Sequence, residues 1–426
     1  MKKMYVRSLG CMLLLCLTGQ VAGTVGYLPH GYGTRMIGMG GVAVAYPQDT
    51  IVAAINPAGM VYIEDRLDAG VTFFAPFRNY CYTGNPAAGI VPAQVGSGSN
   101  FFPIPHFGIK HTYEKNHALG LTLYGNGGMN TNWKKTNPVF GTTRFGGNLL
   151  QLCIAPSYSY YSQEHCQSLG IAPVFCMQFF KLKGLQNCAN SVFSSCPGRV
   201  TNRGHSTSAG VAIRVGWMGT LKDHLTFGFA YTTPTWMSRI RKYEGILADN
   251  GHFNIPMQLY AGLAMKDMEG FDVAFDFGYI PYGQVPSIAN SICSFAQFPF
   301  NPQAPVINNQ LGSECGPGFG WQNVWVIKLG AAYKGYEGKI FRIGYAHSSD
   351  VYGPRDIDFN ILAPAVVNDH FCLGCTKQMS GTDSIDFAYS YVFNNEVSGP
   401  SKFGLGNITH AMRQHLISFN YVHTFG

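Results

Sequence analysis

The chain has 426 residues, of which 46% are hydrophobic, 14% aromatic and only 12% charged, against roughly 25% charged in ordinary soluble domains. With 52 glycines, 24 tyrosines, 30 phenylalanines and a formal charge of +7, it reads neither as disordered nor as a coiled coil or helical repeat. No Lys/Arg-rich run follows the first residues, which speaks against a nucleic-acid partner and leaves an all-β reading. Lys2, Lys3 and Arg7 precede an apolar run at 9–17 and small residues at 21–23, so residues 1–23 are predicted to be a secretory signal peptide. That run is too short to span a bilayer as a helix, and no later stretch reaches about 18 apolar residues. Any further membrane crossing must therefore use strands.

Residues 24–65 show no sustained alternation. They read as a compact, glycine-rich unit with Gly33, Gly38, Gly40 and Gly41 at its centre, then Asp49 and Asn56-Pro57-Ala58-Gly59. From residue 66 onward, alternation with period two dominates. Leu119, Leu121 and Leu123 lead into Tyr124-Gly125-Asn126-Gly127-Gly128, where Gly125, Gly127 and Gly128 would weaken a strand and let it bend, or simply begin a flexible loop. Leu150, Leu152 and Ile154 face away from Gln151 and Cys153. Val211, Ile213, Val215 and Trp217 face away from Ala212, Arg214 and Gly216. Phe271, Val273, Phe275 and Phe277 oppose Asp272, Ala274 and Asp276, and Phe341, Ile343 and Tyr345 oppose Arg342 and Gly344. Ile385, Phe387, Tyr389 and Tyr391 oppose Asp386, Ala388 and Ser390, and the chain ends on Ile417, Phe419, Tyr421 and Phe425 of one face.

A secreted sandwich or propeller would turn the same aromatic faces inward, and the connections decide between the two. Tight links fall at 114–117, 163–167, 219–223, 268–270, 335–338 and 380–383. Long polar or Gly/Pro-rich stretches fall at 79–101, 125–147, 182–205, 239–253, 281–320, 350–368 and 395–409. Short turns alternating with long loops are the asymmetry of bacterial outer-membrane barrels, and these connections make fourteen antiparallel strands, an even number. The predicted architecture is a 14-stranded antiparallel transmembrane β-barrel over 66–426, with residues 24–65 as an N-terminal plug in a lumen too wide to be left unfilled.

The order Gly33 to Gly41, an Asp eight residues on, then Asn56-Pro57-Ala58-Gly59 resembles the hatch of the FadL/TodX family of outer-membrane transporters of fatty acids and hydrocarbons. The resemblance continues through 321–333, 342–345, Pro364, Leu373-Gly374 and 386–391, and it covers nearly all of the chain after the leader. Ten cysteines beyond residue 23 and a glycine after Phe425 depart from the family. The resemblance implies passive uptake of long-chain fatty acids or other hydrophobic molecules by loop capture, hatch movement and sideways exit through the wall. It makes Gly38, Gly40, Gly41, Asn56, Pro57 and Ala58 hatch residues and Gly125, Gly127 and Gly128 candidates for the lateral opening. A general porin or surface adhesin is the alternative.

Arg214, Lys328 and Arg342 fall on lumen faces, where each could meet a ligand carboxylate or pair with Asp272, Asp276 or Asp386. Phe295, Phe298 and Phe300 could form an apolar capture groove or ordinary loop packing. Disulfides are expected between Cys188 and Cys196, Cys293 and Cys315, and Cys153 and Cys176, against free thiols as the alternative. His370-x-Cys372-x-x-Cys375 resembles half a zinc site, but positions 372 and 375 of a strand face opposite ways, so no metal is assigned. No nucleophile elbow, metalloprotease helix or phosphate loop is present, so no enzyme activity and no cofactor are expected. The expected partners are outer-membrane lipid and lipopolysaccharide, a hydrophobic ligand, and the barrel-assembly machinery during biogenesis.

Overall fold

The computed structural model describes residues 25–221, 224–292 and 309–425, so the expected signal peptide lies outside the described residues. Fourteen strands follow in order: β1 Arg66–Tyr82, β2 Phe102–Glu114, β3 His117–Asn130, β4 Gly146–Ser162, β5 Gln167–Lys183, β6 Ser206–Leu221 and β7 Leu225–Thr232. The second half comprises β8 Gln258–Met268, β9 Phe271–Ile280, β10 Val324–Tyr336, β11 Lys339–Ser348, β12 Asp369–Gln378, β13 Asp383–Pro400 and β14 Asn407–Thr424. Each pairs antiparallel with its sequence neighbours, and β14 returns to β1 in unbroken register from Arg66 opposite Thr424 to Tyr82 opposite Ile408. The sheet is closed, so no edge is left unpaired at the seam. Two short pieces extend it at the long-loop end: Ala93–Gly96 on β1 and Trp236–Met237 on β6.

The alternating faces separate as the sequence predicts. On β9, Phe271, Val273, Phe275 and Phe277 are 38–48% exposed, while Asp272 and Asp276 between them are at most 1% exposed. A water-soluble sandwich would do the reverse, because each large apolar side chain left in water forgoes roughly 1.5–3 kcal/mol. No helix among the described residues is long and apolar enough to cross a membrane. Strands can cross one only as a closed barrel, in which every backbone polar group is satisfied within the wall. A greasy exterior on an even-numbered antiparallel barrel is the bacterial outer-membrane architecture, and this chain is such a barrel.

Turns of two to four residues join the strands at one end, and the long loops gather at the other. Several strands run further than their hydrophobic pattern suggests. Loops expected to begin at 79, 125 and 395 begin at 83, 131 and 401. Above the membrane the pairing persists because the loops supply their own apolar interior: Tyr80 of β1 is fully buried, with its ring 4.7 Å from that of Trp133.

Residues 25–65 lie inside the ring of strands. They form one short helix, α1 (Thr34–Gly38), and two tight 3-10 turns, Thr50–Ala54 and Pro57–Tyr62. Helix α1 packs on β1 and β11–β14, the first turn on β1–β4 and the second on β3–β6, so the segment touches the wall on most of its circumference. Asp49 caps the first turn, its Oδ1 accepting from the Ile51 amide at 3.0 Å, and Asn56 caps the second through the Ala58 amide at 3.1 Å.

Candidate functional site: an interior segment facing a break in the wall

The seat of the interior segment is set by glycine on both sides. A Cβ at Gly216 of β6 would lie 1.9 Å from Asn56 Oδ1, and one at Gly170 of β5 would lie 2.3 Å from the Ala58 amide nitrogen. Any side chain there would push Asn56-Pro57-Ala58 off the wall. The close approach lets Asn56 Nδ2 donate to the carbonyls of Val44 (2.7 Å) and Trp217 (3.3 Å), while Ser168 Oγ donates to Ala58 O at 3.0 Å. The same device recurs opposite: Gly38 lies against Gly374, and Gly40 against Gly344.

Charge fixes the other contacts. Arg35 of α1 shares its Nε–H between the two carboxylate oxygens of Asp386 at 2.9 and 3.0 Å, and Asp276 accepts from the Ala43 and Val44 amides at 2.7 and 3.1 Å. Asp68 takes the Thr50 amide and hydroxyl and is paired with Arg66. Bidentate and charge-assisted bonds of this kind are the stronger class of polar contact.

Between β2 and β3 the wall is incomplete near the loop end. β2 pairs with β1 from Phe102 to Lys110, but with β3 only from His106, opposite Tyr124, onward. Residues 102–105 therefore have no partner on β3, and residues 125–130 of β3 pair with β4 alone. The register on β4 shifts between Gly125 and Gly127, leaving Asn126 as an extra residue of a bulge. Pro103 and Pro105 bring no N–H to either side, which suits a stretch that is unpaired on one flank.

The interior segment backs this break. Tyr32 donates to Asn126 Oδ1 at 3.0 Å and stands edge-on to Tyr124, while the Gly128 amide donates to Tyr27 O at 3.0 Å. Pro29, Ile37, Ile104, Pro105, Gly125 and Leu416 line a cavity there of about 30 Å³. An aromatic ring needs on the order of 150 Å³, so this cavity is too small to hold one. Above it Tyr27 sits among Phe253, Tyr282 and Trp321, with ring centres 5.5–6.0 Å away. This aromatic box belongs to the buried layer that the loops form over the lumen, where Trp133 Nε1 donates to Ile361 O and Trp321 Nε1 to Asn360 Oδ1.

Three solved structures share this architecture. The toluene transporter TodX of Pseudomonas putida superposes with a TM-score of 0.66, covering 93% of this chain and 99% of TodX at 16% identity. A Pseudomonas aeruginosa FadL homologue also gives 0.66, over 94% of this chain and 100% of its own, at 15% identity. The Ralstonia pickettii toluene transporter TbuX gives 0.61, over 93% and 99%, at 16% identity. The chain has the FadL-type fold. No family model and no curated protein matches it, so the likeness lives in the fold rather than in a readily matched sequence.

Within this FadL-type barrel, the residues singled out from sequence fall into three groups. Gly125, Gly127 and Gly128 lie at the break, and Asn56, Pro57 and Ala58 of the interior segment press against the wall at Gly170 and Gly216. Arg214, Lys328 and Arg342 all point inward, each occupied by the interior segment. Arg214 donates to Ala53 O, the Tyr124 hydroxyl and Thr232 Oγ1, at 2.8–3.1 Å. Lys328 donates to Gly41 O at 3.2 Å over the Tyr260 ring, and Arg342 to Gln48 Oε1 and Thr376 Oγ1 at 2.7 and 2.8 Å. Phe295, Phe298, Phe300 and Cys293 lie outside the described residues.

Cys153 and Cys176 stand directly opposite on β4 and β5 and are bridged. The expected bridge between Cys188 and Cys196 is absent. Cys188 packs against the loop core, where burial pushes its thiol up to about 12, while Cys196 precedes the turn Pro197–Arg199 as a separate thiol. Cys372 is buried on the lumen side of β12, and Cys375 stands on the outward face opposite Phe341 and Phe387. Sequence reading missed Pro103 and Pro105, although two prolines at alternate positions of a strand are a legible sign of lost pairing. It also missed Tyr27, Tyr32, Tyr282 and Trp321, whose meeting no local pattern announces.

Proposed function

We propose that the chain is a passive outer-membrane channel for hydrophobic molecules, with residues 25–65 as a movable hatch and the break between β2 and β3 as a sideways exit. The observation that carries this reading is the break itself: four residues of β2 and six of β3 forgo a ladder where an aromatic-backed, apolar-lined cavity meets the lipid face. Unpaired backbone facing hydrocarbon is costly, each orphaned group by several kcal/mol, so a wall built this way has a use for the opening.

In this reading the outer loops, including Phe295, Phe298 and Phe300, capture the ligand. The aromatic box around Tyr27 receives it, and displacement of Tyr27 and Tyr32 widens the exit. Arg214, Lys328 and Arg342 hold the hatch when it is seated. A fatty-acid carboxylate reaches one of them only as the hatch moves, whereas an uncharged hydrocarbon needs none. Lateral release keeps the ligand in an apolar medium, avoiding a hydration cost of roughly 25 cal/mol per Å² of its surface.

The test is deletion of Asn126, which removes the bulge and lets β3 run in register. Uptake of labelled toluene and of oleate by cells carrying the shortened protein is expected to fall about tenfold or more, with heat-modifiable migration unchanged. Undiminished uptake rejects the sideways exit. Large, steady ion conductance of the intact protein in planar bilayers would indicate a general porin instead.

A further inference from the structure

β4 and β5 carry a single lipid-facing row that changes character abruptly near the loop end. From mid-wall outward, Ile154 stands opposite Phe175, Leu152 opposite Met177 and Leu150 opposite Phe179; the next pairs are Asn148 with Lys181 and Gly146 with Lys183. On the β3 side Asn130 stands opposite Asn148. At this step the outer surface is indented. Ser99, Asn130, Asn132, Asn148, Lys181 and Lys183 line a notch of about 160 Å³ whose floor is the bare backbone of Gly146 and Gly147.

Two lysines and no acidic side chain line the notch. Lys183 Nζ donates to the neutral Asn132 Oδ1 at 2.8 Å, and neither Lys181 nor Lys183 is in an ion pair among the described residues. Lys242 adds a third ammonium nearby, donating to the His205 carbonyl at 2.7 Å. His205, next to Lys181 at the start of β6, is held below the usual imidazole range by burial and by the charges of Lys181 and Lys242. Asn148 lines the notch, where its Nδ2 is a neutral donor suited to an anionic occupant. Lysines at a membrane boundary commonly snorkel into water with no specific occupant. A recess without any acidic lining residue, an asparagine on each flank and an apolar track directly beneath are more than snorkelling requires.

We propose that this notch binds a phosphate of the lipid A headgroup of lipopolysaccharide, with Lys181 and Lys183 on the phosphate and the acyl chains running down the Phe179–Met177–Phe175 track. The chemistry fits on each count. A phosphate offers several acceptors to ammonium and amide donors, the loop end of the barrel lies in the outer leaflet, and the ligand's own apolar part matches the surface below. The inference is independent of what the channel carries.

Native mass spectrometry of the detergent-purified full chain, titrated with bisphosphorylated lipid A, tests it. One lipid A per barrel is expected, with affinity reduced roughly tenfold or more in K181S/K183S, as loss of charge-assisted bonds predicts. A comparable loss is expected in N148D and with dephosphorylated lipid A, and none in K402S. Equal binding by K181S/K183S, or by dephosphorylated lipid A, overturns the proposal. Release of the lipid by millimolar inorganic phosphate also overturns it, assigning the notch to a free anion.

Discussion

The interior segment is held in two different ways on two sides of the barrel. Toward β9–β13 it is fastened by ions: Asp276 on the Ala43 and Val44 amides, Asp386 on Arg35, Lys328 on Gly41, and Asp272 on the Tyr46 hydroxyl. At the break itself it is held by an edge-on ring contact between Tyr32 and Tyr124 and by neutral hydrogen bonds at Asn126 and Gly128, the charged contacts of Asp68 with Thr50 and Arg214 with Ala53 lying to either side. Ionic contacts in a water-poor interior are expensive to break, whereas ring contacts and neutral bonds exchange at about 1 kcal/mol each. The contrast teaches where motion is cheap. Under the proposed function, the interior segment opens at this lightly held stretch, beside the unpaired part of the wall.

Four variants would break or sharpen that contrast. The largest effect is expected for Asp386→Ala, which strands Arg35 without its carboxylate; loss of a buried partner costs about 3–5 kcal/mol. Limited proteolysis in detergent should then cut the first 65 residues much faster, together with a rise in leak conductance. Next, Cys153→Ser with Cys176→Ser removes a 23-residue link across β4 and β5. It should lower barrel stability by about 3 kcal/mol in urea denaturation, while conductance stays at the native level. Third, Gly216→Ala crowds Asn56 without touching any charge. A penalty of about 1–3 kcal/mol is expected, read as a lower melting temperature with increased protease access to the segment. The smallest effect belongs to Tyr32→Phe, which loses one bond to Asn126, about 0.5–1.5 kcal/mol. It should show as faster hydrophobic uptake with no change in thermal melting, and slower uptake would refute the latch.

Much of the fold is legible in the sequence because a membrane barrel writes itself in period two. Phe271, Val273, Phe275 and Phe277 need hydrocarbon, Asp272 and Asp276 need the lumen, and no other arrangement satisfies both. The inward orientation of Arg214, Lys328 and Arg342 follows from the same parity. Their partners do not, because Arg214 meets Ala53 across 161 positions and Lys328 meets Gly41 across 287. The break is a similar case. The glycines of β3 are visible in the sequence, but that residues 102–105 of β2 lack a ladder emerges only from which register the two strands adopt. The loop cysteines are a related case: between bridge and free thiol the sequence leaves Cys188 and Cys196 open, and in a loop folded around its own apolar core their proximity in sequence does not bring the thiols together.

The seam between β1 and β14 has a consequence for biogenesis. The barrel closes only when the last strand of the chain meets the first, and the final backbone bond of that seam runs from the Phe425 amide to Asp65 O, the residue at which the interior segment ends. Pairing partners so remote in the chain form late and slowly. The interior segment therefore precedes every strand but cannot be enclosed until β14 arrives. Closing the cylinder and locking its contents in place are a single event, so a truncation that deletes only β14 would leave a sheet with nothing to keep its stopper inside.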